Sequence, residues 1–160
     1  MNYIIPTTNR KTISRTLDSI VSNDTNPSIF ISSGGSAGHN RNKCLDRICE
    51  DMEWVIFVDD DDFLVDGYMN ELDTSFDIVI FRMFQSGNII PRYNNDKITF
   101  GNVGINFAMK TDFFLKSGAK FDINGHGEDW RFIKQLLKFN PMIKITNKVM
   151  YIAPTSEHLK

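Results

Sequence analysis

Residues 54–63 read WVIFVDDDDF, in which an apolar run of strand length ends at four consecutive aspartates. Adjacent carboxylates repel one another, so a protein keeps them ionised at neutral pH only when a cation or several hydrogen-bond donors offset the repulsion. Oxygen-only ligands favour Mg²⁺ or Mn²⁺, which take their remaining ligands from water and a substrate diphosphate. The run therefore predicts a divalent metal site. A simpler interpretation is that Asp62 caps a following helix while the other aspartates are solvated in a turn.

A second candidate group lies in residues 125–130, where the adjacent acids Glu128 and Asp129 open a helical pattern. Acids in a first helical turn are common because they complement the helix dipole, so capping explains them equally well. A glycine-flanked loop that presents a carboxylate is also where a general base for an acceptor hydroxyl could lie. The pair therefore predicts either a helix cap or a base located away from the metal.

A third candidate is the glycine-rich segment SSGGSAGHNRN, residues 32–42. Glycine-rich chain that enters a helix N-terminus suits phosphate binding, and Arg41 adds a cation that can pair with phosphate. The same glycines are equally suited to making a turn. This segment is a weak signal on its own.

The elements that must position these groups alternate between strands and helices in the first half of the chain. Apolar runs predict strands at residues 3–6, 28–32, 54–58 and 77–84, and helical spacing predicts helices at 13–21, 39–50 and 66–72. This alternation predicts an α/β fold with a mostly parallel central sheet flanked by helices. Open α/β sheets bind ligands beyond the carboxyl ends of their strands, which is where the aspartates lie.

The second half predicts a small antiparallel element and a late helix. A turn at residues 86–88 precedes an irregular stretch, an apolar strand ending near Lys110 and a short helix at 111–116. The late helix starts at Glu128, is stopped by Pro141, and has Trp130, Ile133, Leu136 and Leu137 on its predicted buried side. Strands at 143–146 and 148–152 follow. Because no linker is recognisable, we predict one domain over residues 1–160, which could belong to a longer polypeptide.

Composition excludes several classes of partner. The 160 residues carry a formal net charge of −2 with both signs mixed, so no basic field for nucleic acid or an acidic membrane is present. No apolar stretch approaches the ~20 residues of a membrane span, and no signal-peptide core is evident, which predicts a cytoplasmic protein. Cys44 and Cys49, placed in the helix at 39–50, match neither a CxxC redox pair nor a zinc motif.

The order of the motifs resembles the glycosyltransferase family 2 type of GT-A domain. The segments that carry the resemblance are IIPTTNR, GHNRNKCL, VIFVDDDDFLVDGYMNEL, GNVGINFAMKTDFFLKSGAKFD and GEDWRF. Such proteins open with a strand ending in proline and a similar NR, carry an RN helix before the DXD strand, and place an ED pair at the start of a late helix. The resemblance covers nearly the whole chain and implies a compact, non-processive GT-A domain, because no QxxRW motif is present.

The resemblance also implies roles for individual residues. Asp59, Asp61 and Asp62 would form the DXD region, with Asp61 towards the ribose and Asp62 on the metal. Asp129 would be the catalytic base, and Glu128 its neighbour towards the acceptor. The implied donor-binding residues are Pro6, Thr7, Arg10, Ser33, Arg41, Asp59 and Asp61, and the implied metal ligands are Asp61, Asp62 and His158. Ser33 stands where such enzymes carry an acidic pair for the nucleobase, which predicts modest discrimination between bases.

The predicted function is a metal-dependent inverting glycosyltransferase of the hexosyl- or deoxyhexosyl-transferring kind. It would use Mn²⁺ or Mg²⁺, a nucleotide-diphosphate sugar with UDP favoured, and a glycan or glycoprotein acceptor. One alternative is a non-catalytic module that binds a sugar nucleotide or a glycan. Another is a metal-dependent phosphatase with Asp59 as nucleophile, which is disfavoured because Phe63 stands where that class has Thr or Val.

Overall fold

A computed structural model of the protein describes residues 1–123 and 126–154. This part of the chain folds as the predicted α/β architecture, with one eight-stranded sheet flanked by helices. The strands are β1 (Asn2–Pro6), β2 (Ser28–Ser32), β3 (Trp54–Phe57), β4 (Phe63–Leu64), β5 (Ile78–Gln85), β6 (Asn88–Ile90), β7 (Phe107–Lys110) and β8 (Ile143–Ala153). The helices are α1 (Ile13–Val21), α2 (Ala37–Leu45), α3 (Thr111–Ser117) and α4 (Glu128–Leu137). Among the described residues, none of the helices has the length and apolar character needed to cross a membrane.

The order of strands across the sheet is β2-β1-β3-β7-β5-β8-β4, and β6 pairs with the end of β5. Strands β1, β2, β3, β5 and β8 point in one direction, whereas β4, β6 and β7 run opposite to them. The prediction of a mostly parallel sheet with a small antiparallel element is therefore confirmed. The carboxyl ends of β1, β2 and β3 meet at one edge, and the chain segments that follow these strands are brought together there.

The core lies on both faces of β3, whose four residues are all buried. On one side Phe57 packs against the rings of Phe107, Phe121 and Phe132. The rings of Phe121 and Phe132 are stacked nearly parallel, with their centroids 4.0 Å apart. Phe132 therefore takes the core position on α4. Trp130, which the sequence predicted to be in the core, is only half-buried, because the buried face of this helix runs through residues 132, 133 and 136.

The predicted helix over residues 39–50 is shorter than expected, because α2 ends at Leu45. The side chain of Asn2 donates to the carbonyl of Cys49 at 2.9 Å and accepts from the Cys49 amide at 3.0 Å. This pairing takes up the backbone groups that a continuing helix would have used. The prediction that Cys49 lies in a helix is therefore wrong, although Cys44 is helical and buried as expected.

Two further elements differ from the prediction. The helix expected at 66–72 is a single 3₁₀ turn, Tyr68–Glu71, because Gly67 before it adopts φ 81° and donates its amide to Asn23 Oδ1.

The two strands expected at the end of the chain form the single strand β8, with shifts in its register against β5 near Arg82. There the Arg82 amide donates to the Thr146 hydroxyl instead of to a strand carbonyl.

Candidate active site

The aspartate run forms the turn that follows β3, and helix α1 holds its backbone. The Thr12 hydroxyl donates to the carbonyl of Asp60 at 2.9 Å, and the Thr16 hydroxyl donates to the carbonyl of Asp62 at 2.7 Å. These bonds satisfy turn carbonyls that would otherwise be buried without partners. The interpretation of Asp62 as a helix cap is not supported, because residues 63 and 64 form β4 and the 3₁₀ turn is capped by Gly67.

Asp60 is a structural member of the run. Its buried carboxylate accepts from the Thr7 hydroxyl at 2.7 Å and from the Thr8 amide at 2.9 Å, which ties the chain after β1 to the chain after β3. Asp61 is more exposed and pairs with the guanidinium of Arg10. Burial raises the pKa of Asp61, and so do the charges of the neighbouring aspartates, while Arg10 opposes the shift.

Asp62 is the most strongly perturbed carboxylate of the run. The residue is 8% exposed, and its carboxylate accepts from the Tyr151 hydroxyl of β8 at 2.8 Å. The same hydroxyl accepts from the Asp59 amide at 3.2 Å. Burial, and secondarily the negative charge of Asp59, raises the pKa of Asp62 to about 8. A carboxylate in this environment is stabilised in its charged form by a nearby cation. Sequence patterns had not indicated Tyr151.

Arg41 of α2 joins the aspartate run to the acidic pair of α4. Its side chain is 1% exposed. One terminal nitrogen lies 2.6 Å from Asp59 Oδ1, and the other lies 2.8 Å from Asp129 Oδ1 and 3.1 Å from Glu128 Oε1. Burial alone would lower the pKa of Arg41, but the charges of Asp59 and Asp129 raise it above its ordinary value. The buried guanidinium of Arg41 therefore pairs with Asp59 from the first half of the chain and with Glu128 and Asp129 from the second half.

Asp129 lies in the first turn of α4, and Gly127 precedes that helix at φ 78°, a conformation that glycine adopts without strain. Burial raises the pKa of Asp129 to about 6, the charge of Arg41 opposes this shift, and the charges of Asp59 and Glu128 add to it. A carboxylate with such a pKa is mostly deprotonated at neutral pH and can still accept a proton from a hydroxyl in a transition state. The arrangement suits general base chemistry.

Two cavities open beside these carboxylates. The first, of about 120 Å³, is lined by Pro6, Thr7, Thr8, Arg10, Gly35, Ala37, Asn40, Asp59, Asp60 and Asp61. The second, of about 230 Å³, is lined by Asp59, Asp62, Met83, Gln85, Ile90, Gly101, Val103, Gly104, Ile105 and Asp129. Asp59 lines both, so the cavities are neighbours. We name them the β1 cavity and the Asp129 cavity.

The structure places most of the predicted site residues around these cavities. Pro6, Thr7, Arg10, Asp59 and Asp61 share the β1 cavity, and the N-terminus of α2 opens onto it through Ala37. Arg41, predicted near the diphosphate, is instead buried against the carboxylates. Ser33 follows β2 in the loop that leads to α2. His158, predicted as a metal ligand, lies outside the described residues.

The donor set at the end of β3 fits a hard divalent ion. Asp61 and Asp62 offer carboxylate oxygens, and because burial and then the charge of Asp59 raise the pKa of Asp62, a cation there would stabilise its charged form. Mg²⁺ and Mn²⁺ accept such oxygens and commonly keep water and substrate phosphate among their ligands. Within residues 1–123 and 126–154, no group of three or more His, Cys, Asp or Glu side chains is placed to hold an ion by itself.

Asp62→Asn is expected to stabilise the metal-free protein increasingly as the pH rises. The pKa of Asp62 is about 8 in the folded state and about 3.8 when unperturbed, so the folded state binds this proton more tightly, and stability is lost as the pH rises towards 8. At pH 8 the variant should gain about 1–4 kcal/mol in free energy of unfolding, since one pKa unit corresponds to about 1.4 kcal/mol. Urea denaturation at pH 5 and pH 8 checks this, and a pH-independent difference would contradict it.

Solved structures share this fold. S. aureus TarS 1–349 matches with a TM-score of 0.77 and 19% identity over 99% of this chain and 61% of that one. The same TarS fragment in complex with UDP-GlcNAc matches with a TM-score of 0.78 and 19% identity, over 96% of this chain and 58% of that one. The chain described here therefore spans about three fifths of TarS 1–349.

A second similar structure is the catalytic domain of Drosophila β1,4-galactosyltransferase 7 in complex with xylobiose, with a TM-score of 0.73 and 11% identity over 100% of this chain and 72% of that one. Bifunctional IspDF from Campylobacter jejuni matches with a TM-score of 0.59 and 12% identity over 92% of this chain and 49% of that one. No protein-family model and no curated protein sequence matches the chain. These likenesses confirm the predicted GT-A-like fold.

Proposed function

We propose that this protein is a metal-dependent glycosyltransferase that moves a sugar from a nucleotide diphosphate to an acceptor hydroxyl with inversion. The observation that carries the proposal is the buried Arg41, which holds Asp59 of the metal-side run and Asp129 of α4 on one guanidinium. The β1 cavity lies on one side of this cluster and the Asp129 cavity on the other. Two neighbouring cavities with a carboxylate between them suit a reaction that joins two substrates.

The β1 cavity would take the nucleotide diphosphate. Asp60 fixes the loop that carries Thr7, so the wall formed by Pro6 and Thr7 is already held in place before a ligand arrives. The positive end of the α2 dipole, which opens onto this cavity through Ala37, favours phosphate there. Arg10, which is half-exposed and pairs with Asp61, can pair with a diphosphate instead. UDP is the favoured nucleotide because a structure of the same fold was solved with UDP-GlcNAc.

A divalent ion on Asp61 and Asp62 would supply charge that stabilises the departing diphosphate. The remaining steps fall to residues of this chain. Asp62 lines the Asp129 cavity and has a pKa of about 8 in the metal-free protein, so an ion bound there would keep it in its charged form. Arg41 stops Asp59 and Asp129 from repelling each other and so keeps Asp129 in position.

The Asp129 cavity would take the acceptor. The carboxylate of Asp129 accepts the proton of the attacking hydroxyl as its oxygen bonds to the anomeric carbon and the bond from that carbon to the diphosphate oxygen breaks. The pair of electrons leaves with the nucleoside diphosphate. Because attack and departure occur from opposite faces in a single displacement, the anomeric centre is inverted.

Calorimetry of Mn²⁺ and UDP binding tests the donor half of the proposal. We expect Mn²⁺ alone to bind weakly and to bind at least about tenfold more tightly when UDP is present, because the diphosphate supplies oxygen ligands that the protein lacks. Asp62→Ala should abolish the enhancement. Equal Mn²⁺ affinity with and without UDP, or an enhancement that survives in the variant, would contradict the assignment of the metal to this run.

A further inference from the structure

Phe100 exposes a large apolar side chain next to residues that line the Asp129 cavity. The residue is 71% exposed, more than any other large hydrophobic residue in the described part of the chain. Its ring lies against the backbone that begins α4, since a methyl group added at Gly127 would come within 3.2 Å of Phe100 Cε2. The next residue, Gly101, lines the cavity, and so does Asp129, two residues beyond Gly127. Phe100 therefore stands beside the cavity that holds the proposed base.

The loop that presents Phe100, residues 91–106, is firmly anchored from the side of the sheet. Arg82 of β5 is buried, and its guanidinium donates to the Pro91 carbonyl at 2.5 Å and to Asp96 Oδ1 at 2.7 Å. The guanidinium also lies over the ring of Tyr93, 4.6 Å from its centroid. The exposure of Phe100 is thus set by a loop that a buried arginine holds in place.

A second anchor lies directly beside Phe100. The Asn102 side chain is buried and donates to the carbonyls of Lys97 and Asn95, at 2.5 Å and 3.1 Å. Phe100 and Val103 form an isolated bridge across the same turn. These polar anchors keep the Phe100 ring in contact with water, so its apolar area stays unburied, and a ligand that covers the ring would recover the free energy of burial.

The surfaces next to Phe100 indicate what would cover it. The same loop gives the cavity an apolar wall through Val103 and Ile105, whereas Asp129 and Gln85 give it groups that bond to hydroxyls. A pyranose ring has an apolar C–H face and a rim of hydroxyl groups, so it can place that face on an aromatic ring and direct its hydroxyls to carboxylate and amide groups. An acyl chain could not form hydrogen bonds to Asp129 or Gln85, so covering these polar groups with it would cost free energy.

We propose that Phe100 is the stacking platform for a pyranose ring of a saccharide acceptor, which places one hydroxyl of that sugar at Asp129. The role of Asp129 in this statement rests on the proposed function. The stacking itself is a binding property that can be measured without turnover.

Saturation-transfer-difference NMR with three simple glycosides tests the platform in the presence of UDP and Mn²⁺. The probes are methyl β-glucoside, methyl β-galactoside and methyl β-N-acetylglucosaminide. We expect at least one to bind, with the strongest transfer to the C–H protons of one ring face. Phe100→Ala and Phe100→Leu should weaken that binding about tenfold, because leucine keeps apolar area but has no aromatic face. Phe100→Trp should stay within about threefold of the original affinity.

Phe139→Ala serves as the matched control, because Phe139 is also an exposed aromatic residue but follows the far end of α4. This variant should bind the glycoside normally. The UDP affinity of every variant, measured with Mn²⁺, reports whether the donor side is intact. The platform would be overturned if none of the three glycosides bound the original protein, or if Phe100→Leu bound them as well as the original protein does. In either case, normal UDP binding would leave the proposed function intact. Loss of UDP binding in the original protein would instead contradict the proposed function.

Discussion

Asp129→Asn is expected to lower kcat by roughly two to four orders of magnitude, because asparagine keeps the shape of the side chain and its contact with Arg41 but cannot accept the proton of the attacking hydroxyl. Affinity for UDP with Mn²⁺ should be unchanged, since Asp129 faces the Asp129 cavity and not the β1 cavity. Steady-state transfer kinetics and calorimetry on the same preparation check both parts.

The pH dependence of the original protein provides the matching control. With Mn²⁺ at a saturating concentration, which keeps Asp62 ionised, the pKa of about 6 for Asp129 predicts that kcat/KM is level near pH 7.5 and falls about tenfold per pH unit well below pH 6, as the base becomes protonated. The residual activity of Asp129→Asn should lack this dependence. Glu128→Gln should affect activity less, because only one carboxylate takes the proton. A larger loss in Glu128→Gln than in Asp129→Asn would reverse the assignment of the two acids.

Arg41→Met is expected to lose about 3–5 kcal/mol of the free energy of unfolding, because it removes the buried cation and leaves Asp59, Glu128 and Asp129 close together without compensation. Urea denaturation at pH 7.5 without metal measures this loss. Arg10→Met is the comparison, since the half-exposed Arg10 should contribute only about 0–1 kcal/mol through its surface pair.

Combining Arg41→Met with Asp59→Asn and Asp129→Asn should recover part of the lost stability, because two of the three stranded charges are removed. Recovery would attribute the loss to charge rather than to packing around the guanidinium. If Arg41→Met alone were as stable as the original protein to within about 1 kcal/mol, the three carboxylates would not depend on this arginine.

The elements of the sheet were largely predictable because their apolar runs are local properties of the sequence. Strands β1, β2, β3 and β5 and helices α1 and α3 lie within one or two residues of the predicted positions. The errors in helix length arose where a side chain that is distant in the sequence forms hydrogen bonds with the backbone. Asn2 ends the helix before Cys49 across 47 residues, and no local pattern contains that contact.

The candidate site was predictable as a set of residue types and not as a set of contacts. The four aspartates look alike in the sequence, yet they have different hydrogen-bond partners in the structure. Asp60 bonds to the loop after β1, and Asp62 bonds to Tyr151, which lies 89 residues further along the chain. Arg41 could be expected near phosphate, but its contacts with Glu128 and Asp129 depend on how α2 and α4 meet. The exposure of Phe100 is likewise a property of the folded loop.

The most direct test of the central claim is the fate of UDP-GlcNAc incubated with the protein and Mn²⁺, followed by ¹H and ³¹P NMR. The proposed function predicts binding of the donor and release of UDP, slow with water as acceptor and faster with a suitable saccharide, together with an inverted anomeric configuration in the product. Release should require Mn²⁺ and should be lost in Asp62→Ala. The account would be contradicted by an unchanged spectrum, which would show neither donor binding nor release of the nucleoside diphosphate. That result would have to hold for UDP-GlcNAc, for UDP-glucose and UDP-galactose, and for the corresponding GDP- and dTDP-linked donors.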